Sequence, residues 1–298
     1  MIELICLGHA ALDHVYLVER FPSGAVKMRA HRAVEAGGGM AASASVAAAR
    51  LGGAVAFWGR VGDDSAGATI RAELRREGVE VSGLLECAGG VSSSSAILVD
   101  AAGDRIIVNH RGEGLAEAPD FLPLERVRQA RAVLVDVRWP QGSVALMARA
   151  RADGVATVVD LDVGNAEHAG DLLPLADHAV FSQPGLAEFS PDLPVEDGLR
   201  RARAMGAGIV GVTLGEHGYR WLDHDGVLRI QTGFAVEVVD TTGAGDAFHG
   251  AYALGVARGM SDSACARLAS AAAALKCTHP GARAGLPRMD AVVAFLGD

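Results

Sequence analysis

Asp246 closes the run Val239-Asp240-Thr241-Thr242-Gly243-Ala244-Gly245-Asp246, and Ala247-Phe248-His249-Gly250 follows it. Apolar residues before the glycines and after them predict a strand, a tight turn and a helix that begins near Ala244. The first N–H groups of such a helix point outward unpaired and attract an anion. Gly243 and Gly245 let a phosphate approach the backbone closely. The helix dipole favours an ionised carboxylate in the first turn. Beside an anion site, that carboxylate is useful if it takes a proton from a hydroxyl that attacks a phosphoryl group. The plainer alternative is a helix cap at Asp246 and glycines that only make a turn. No GxxxxGK[ST] string occurs, which excludes P-loop chemistry.

A second glycine cluster, Gly37-Gly38-Gly39, opens a small-residue helix from Met40 to Leu51, which Gly52-Gly53 stops. Gly37 to Ala42 also fits G-x-G-x-x-A with Asp63 downstream. A dinucleotide fingerprint belongs at the first strand-to-helix turn, however, and this one comes later. Asp136-Val137-Arg138-Trp139 ends an apolar run, where open sheets present ligand groups. The planar fork of Arg138 suits a phosphate or a sulfonate. Lys27 and Asn109 lie on two other segments that could converge on the same end. The alternative is that Lys27 and Arg138 are ordinary surface charges.

The elements that must position these groups alternate. Strands are predicted at Leu4 to Leu7, Ala54 to Trp58, Ala132 to Asp136, Ala156 to Asp160, Ala179 to Phe181 and Gly208 to Thr213. Helices are predicted at Asp64 to Glu77, Gln141 to Ala152, Val195 to Met205, Ala244 to Arg258, Ser261 to Lys276 and Met289 to Leu296. This rhythm gives an α/β fold, a mostly parallel sheet covered by helices on both faces. Gly218 to Leu222 and Val227 to Gln231 add a short antiparallel piece. The β-like segments at 12–35 (Asp13 to Val18, Val26 to Val34) and at 93–109 (Ser93 to Val99, Arg105 to Asn109) break the rhythm. The second pair flanks the turn Asp100 to Asp104. Together they predict a small separate sheet, a lid on one domain spanning 1–298.

The 298 residues carry 27 Lys+Arg against 36 Asp+Glu, a net charge of −9, and are 50% apolar. That excludes disorder and argues against a nucleic-acid partner. The start shows no basic leader, and no apolar run is long enough for a membrane span. Cys6, Cys87, Cys265 and Cys277 are scattered, which fits reduced thiols in a cytoplasmic protein.

The Asp240–Asp246 string resembles the DTxGAGD signature of the PfkB/ribokinase family of sugar kinases. Gly38-Gly39-Met40-Ala41-Ala42-Ser43, followed by Val46 to Gly52, resembles the family's first signature. Gly59 to Asp64 and Thr213-Leu214-Gly215-Glu216-His217-Gly218 extend the likeness over essentially the whole chain. The resemblance implies a ribokinase-like three-layer sandwich with a β-sheet lid. It makes Asp246 the catalytic base and Gly243, Ala244 and Gly245 an anion hole. It gives Asp13, Gly38 and Gly39 to the sugar, and Thr213, Gly215 and Gly218 to the nucleotide. ATP and Mg²⁺ follow, and a monovalent cation, K⁺, near Asp240, Thr242, Cys277 and Gly281. Ser43 replaces the usual Asn, and Ser182-Gln183-Pro184-Gly185 replaces the NxxE stretch that organises Mg²⁺. A non-catalytic sugar sensor on the same fold is the other class of reading. Lys27, Asn109, Val135 to Trp139, Ser182 to Leu186 and Ala274 to Thr278 resemble the sulfofructose kinase branch. That implies an anionic ketose phosphorylated at C1, and a homodimer paired through the lid is expected. Kinases of fructose, ribose or fructose/tagatose phosphate are the neighbouring readings.

Overall fold

The computed structural model describes residues 2–101, 104–164 and 166–297. The first strand, β1 (Leu4–Gly8), leads directly into β2 (Ala11–Leu17) of a different sheet. Next come β3 (Arg32–Gly38), α1 (Met40–Arg50), β4 (Val55–Gly62), α2 (Ser65–Arg76) and β5 (Leu84–Cys87). The hairpin β6 (Ser93–Val99) and β7 (Arg105–His110) forms as predicted, and its tip at Ala102-Gly103 lies outside the described residues. The chain then alternates: β8 (Ala132–Asp136), α3 (Pro140–Ala152), β9 (Ala156–Leu161), α4 (Ala169–Leu172), β10 (His178–Ser182), α5 (Gln183–Phe189), α6 (Val195–Ala204) and β11 (Ile209–Thr213). It closes with β12 (Tyr219–Leu222), β13 (Leu228–Gln231), α7 (Ala244–Ala257), α8 (Asp262–Cys277) and α9 (Met289–Leu296).

Nine strands make one sheet in the order β13-β12-β11-β10-β9-β8-β1-β4-β5. Neighbours from β11 through β5 pair in parallel, and only the β12 pairings are antiparallel. Both faces are buried, so the strands are continuous apolar runs whose alternate residues serve two cores. Leu4 and Cys6 pack with α1, α2, α7, α8 and α9, whereas Ile5 and Leu7 pack with α3, α4, α5 and α6. This is the three-layer arrangement that the alternation predicts. Four strands, β3-β2-β6-β7, form the separate small sheet.

Differences from the sequence reading have local causes. No strand precedes Gly243: Val239 and Asp240 donate their N–H groups to the Cys277 carbonyl at the end of α8, and not to a sheet neighbour. β3 starts later than Val26 and runs on to Gly38, because its ladder with β2 extends that far. β5 is a four-residue edge strand, too short to signal itself. α5 starts where Ser182 caps the Gly185 N–H (3.0 Å), with Pro184 in the first turn.

Candidate active site

Most of the chemistry-bearing groups lie at or just past the carboxyl ends of parallel strands. Gly8 ends β1, Asp136 ends β8, Ser182 ends β10 and Thr213 ends β11. Gly243 adopts the left-handed conformation (φ 79°) and caps α7, which no side chain caps. The N–H groups of Gly245 and Asp246 therefore face outward, as helix geometry requires. A cavity of about 820 Å³ opens beside this turn. Ala244 and Gly245 line one end, Thr213, Gly215 and Gly218 line another, and Phe234 and the small residues of α8 complete the walls. Its size and largely apolar lining suit a nucleotide base and ribose.

Asp246 is only partly accessible. Burial pushes its carboxyl up to about 7; the nearby Arg283 opposes this, while Asp162, Asp136 and Asp13 reinforce it. A carboxylate that titrates near neutrality is poised to exchange a proton. Asp160 and Asp162 crowd the same place at and past the end of β9. Burial raises Asp160 well above the usual carboxylate range. Its Oδ1 faces His249 Nε2 at 3.2 Å, and burial lowers that imidazole to about 4. Both shifts disfavour the charged form.

The acceptor end is built on the small sheet. Ala36, Asp13, Ser95 and Asn109 stand in one row across β3, β2, β6 and β7, so their side chains share a face. Gly38 lies against Asp13; a Cβ there would come within 2.2 Å of its carboxylate. Burial raises the Asp13 carboxyl, opposed by the hydrogen bond from Ser95 and by Arg283. Gly39 (φ 90°) passes so close to the His9 carbonyl that a Cβ would stand 2.5 Å from it. Asp136 is fully buried and accepts from the backbone N–H of His9 (2.7 Å), Ala41 (3.1 Å) and Arg138 (2.9 Å). One carboxylate thus fixes the end of β1, the start of α1 and the turn that bears Arg138.

Arg138 points its guanidinium at Asp162 (3.6 Å) beside Gly164. It also lies within electrostatic range of His9, as does Arg111. Lys27 does not join this group. It is exposed on the segment between β2 and β3, in a shallow pocket with Tyr16 and Leu98, whose row is the opposite face of the sheet from Asp13. The expected convergence of Lys27 with Asn109 and Arg138 is not made within one chain, because alternate residues of β2 point to opposite faces.

Sequence reasoning missed four residues. Arg283 is 6% exposed and donates to Gly38 O (2.6 Å) and Ser43 Oγ (3.1 Å). It has no spacing signal and sits in a Gly/Ala loop. His9 follows the first strand, and Asp160 and Asp162 end a strand. The strand-end rule applied to Arg138 would have found these three.

The ring around Asp240, Thr242, Cys277 and Gly281 is not open to a cation. Asp240 accepts from Thr242 N (2.8 Å), Gly281 N (2.8 Å) and Arg105 Nη2 (2.6 Å). The Cys277 carbonyl already takes two backbone N–H groups. The Lys276 ammonium reaches in and donates to Asp240 O (2.6 Å) and His279 O (3.2 Å). These residues do not fit a K⁺ ion.

Residues 1–289 match the family model described as pfkB family carbohydrate kinase. The ribokinase of Bacillus subtilis is 30% identical over 306 residues, 99% of this chain and all of that one. An ATP-dependent ribose-1-phosphate kinase of Halopiger xanaduensis is 30% identical over 310 residues, covering 100% of this chain and 99% of its own. Among solved structures, a provisional ribokinase from Agrobacterium tumefaciens superposes with TM-score 0.94 at 37% identity, covering 99% and 98% of the two chains. The Arabidopsis thaliana ribokinase complexed with ribose and ATP gives 0.88 at 26% identity over the full length of both.

Proposed function

The chain belongs to the pfkB family of carbohydrate kinases, and we propose that this ATP-dependent sugar kinase acts on an anionic ketose, 6-deoxy-6-sulfofructose, at its C1 hydroxyl. The carrying observation is the cationic end of the acceptor site. Arg138 and Arg111 both lie within electrostatic range of His9, and Asn109 shares a face with Asp13, in a chain that is acidic overall. An anionic tail there gains charge-assisted hydrogen bonds, while Asp13 holds sugar hydroxyls.

In this reading Asp246 removes the proton of the attacking hydroxyl. The N–H groups of the Gly243-Ala244-Gly245 turn hold the transferring phosphoryl group. Thr213, Gly215 and Gly218 border the nucleotide, and Gly38, Gly39 and Ser43 shape the sugar's bed. Mg²⁺ arrives with ATP, held largely by phosphates and water, and neutralises phosphate charge. Asp162, whose carboxylate accepts from Ser182 Oγ (2.7 Å), would receive its waters.

The small sheet acts as a lid that excludes water. Tyr16, Ile106 and Val108, exposed apolar residues on its face away from Asp13, suit pairing with a second copy. Lys27 then serves an acceptor only by movement of its segment or across such a pair. The likeness to ribokinases favours a second reading, a kinase of ribose or a neutral ketose.

The test compares kcat/KM for 6-deoxy-6-sulfofructose, fructose 6-phosphate, fructose and ribose in a coupled assay. The expected order puts sulfofructose first. Preference for fructose or ribose rejects the anion pocket and leaves the second reading.

A further inference from the structure

We propose that the Lys276 ammonium is a tethered cation that does permanently what a bound monovalent ion would do behind the anion-binding turn, so that this kinase works without K⁺. The inference rests on the kinase reading but not on which sugar is the acceptor.

Four observations carry it. The Lys276 side chain is 0% exposed although it comes from the last turn of a surface helix, α8. Burying an ammonium is costly unless acceptors surround it. Here they do: the carbonyls of Asp240 and His279 accept from Nζ, and the Asp240 carboxylate lies 4.0 Å away. Carbonyl oxygens from two loops, backed by one carboxylate, are the ligand chemistry of a weakly hydrated monovalent cation, and the protein has filled that cage with its own amine.

Room for the amine is made opposite. A Cβ on Gly285 would lie 3.1 Å from Lys276 Cε, 3.0 Å from Gly281 O and 3.1 Å from His279 O. A side chain at 285 would therefore press on both the amine and the loop that accepts from it. Finally, the charge balance is already closed. Asp240 takes Arg105 on its Oδ1 in addition to the Lys276 charge, so one carboxylate meets two fixed cations. A further bound cation would meet net positive charge.

The amine also sits where it matters. Asp240 and Thr242 lead straight into Gly243, and the Thr242 N–H is fixed on the Asp240 carboxylate. Lys276 thus ties the end of α8 and the 279–281 loop to the backbone that presents the anion turn. It touches no reacting atom and acts as a positioning residue.

The test uses the whole protein in KCl and in choline chloride at equal ionic strength. For the unaltered chain, melting temperature and ATP affinity by calorimetry should agree between the two salts within about twofold in Kd. Lys276→Ala should weaken ATP binding about tenfold in choline chloride, the effect of losing one charge-assisted hydrogen-bond anchor. KCl or methylammonium chloride should restore part of that loss and raise the variant's melting temperature. A merely structural lysine would show no such dependence on the kind of cation. Lys276→Met fills the volume without charge and should weaken binding with no rescue. The idea is overturned if KCl raises the melting temperature or ATP affinity of the unaltered protein markedly, or if Lys276→Ala binds ATP normally in choline. Should Lys276→Ala not fold, the comparison of salts on the unaltered protein still decides. Salt-independent ATP binding together with no turnover of any sugar would reject the acceptor reading and leave this one standing.

Discussion

Replacing Asp246 by Asn should lower activity and raise stability at once, and the structure gives the size of each change. Burial lifts this carboxyl from 3.8 to about 7. As a general base it works only when ionised, so kcat/KM of the unaltered enzyme should rise about tenfold per pH unit below about 7 and level above it. Asp246→Asn should lower kcat by about 10²–10⁴ while ATP still binds.

The stability effect has the opposite sign. A carboxyl whose folded-state value lies above its unfolded value keeps its proton in the fold when the unfolded chain has lost it. Its contribution is therefore fully favourable below the unfolded value of 3.8 and is lost as the pH rises toward 7. A shift of about three units corresponds to at most about 4 kcal/mol, and access of solvent through the cleft trims this to about 2 kcal/mol. Asp246→Asn removes that cost, so it should melt a few degrees higher than the parent at pH 8, with the gap closing toward pH 4. A pH-rate titration and thermal melts over the same range check both limbs. Near-normal turnover of the variant, or a flat profile through pH 6, refutes the reasoning.

Arg138→Met should raise KM for an anionic ketose by about 10–100-fold and leave any turnover of a neutral ketose little changed, which steady-state kinetics on paired substrates would show. Arg283→Met removes a charge that holds the Asp246 carboxyl down, so the acid limb of the pH profile should move up by about one unit; it should also lower the melting temperature, because Glu73 and the Gly38 carbonyl lose a buried partner. Arg105→Ala should free the small sheet from Asp240, raise KM for the sugar and increase ATP hydrolysis in the absence of sugar by a few-fold, measurable by release of phosphate.

The alternation of strands and helices was legible because each strand of a two-sided sheet is a continuous apolar run bounded by turn residues. The glycine turn at Gly243 and the carboxylate of Asp246 were legible for a related reason: their chemistry depends on local backbone shape. Arg283 and Lys276 were not. Each comes from the end of the chain to a site made by distant segments, and nothing near either residue in sequence tells that its charge is buried. The strand expected before Gly243 failed for the same cause. Its apolar residues look like a core strand, yet Val238 and Val239 remain exposed and the segment is hooked to the end of α8. The row Asp13, Ser95 and Asn109 needed the register of three strands, which periodicity alone leaves open.

The two glycine clusters open α1 and α7, and these helices touch where Gly250 meets the Ala44 carbonyl so closely that a Cβ would stand 2.2 Å from it. The side-chain atom nearest to that point is the Ala47 Cβ, 3.0 Å away. If Gly38 and Gly39 bed the sugar and Gly243 to Gly245 seat the phosphoryl group, the span between them is gauged by backbone against backbone, like the jaws of a calliper locked at one setting. A flexible gap would let acceptors of several lengths bring a hydroxyl to Asp246. A locked one would hold a bound hydroxyl at one distance from the phosphoryl seat. On the proposed reading, these two helices would gauge the acceptor's length and the loops of the site its charge.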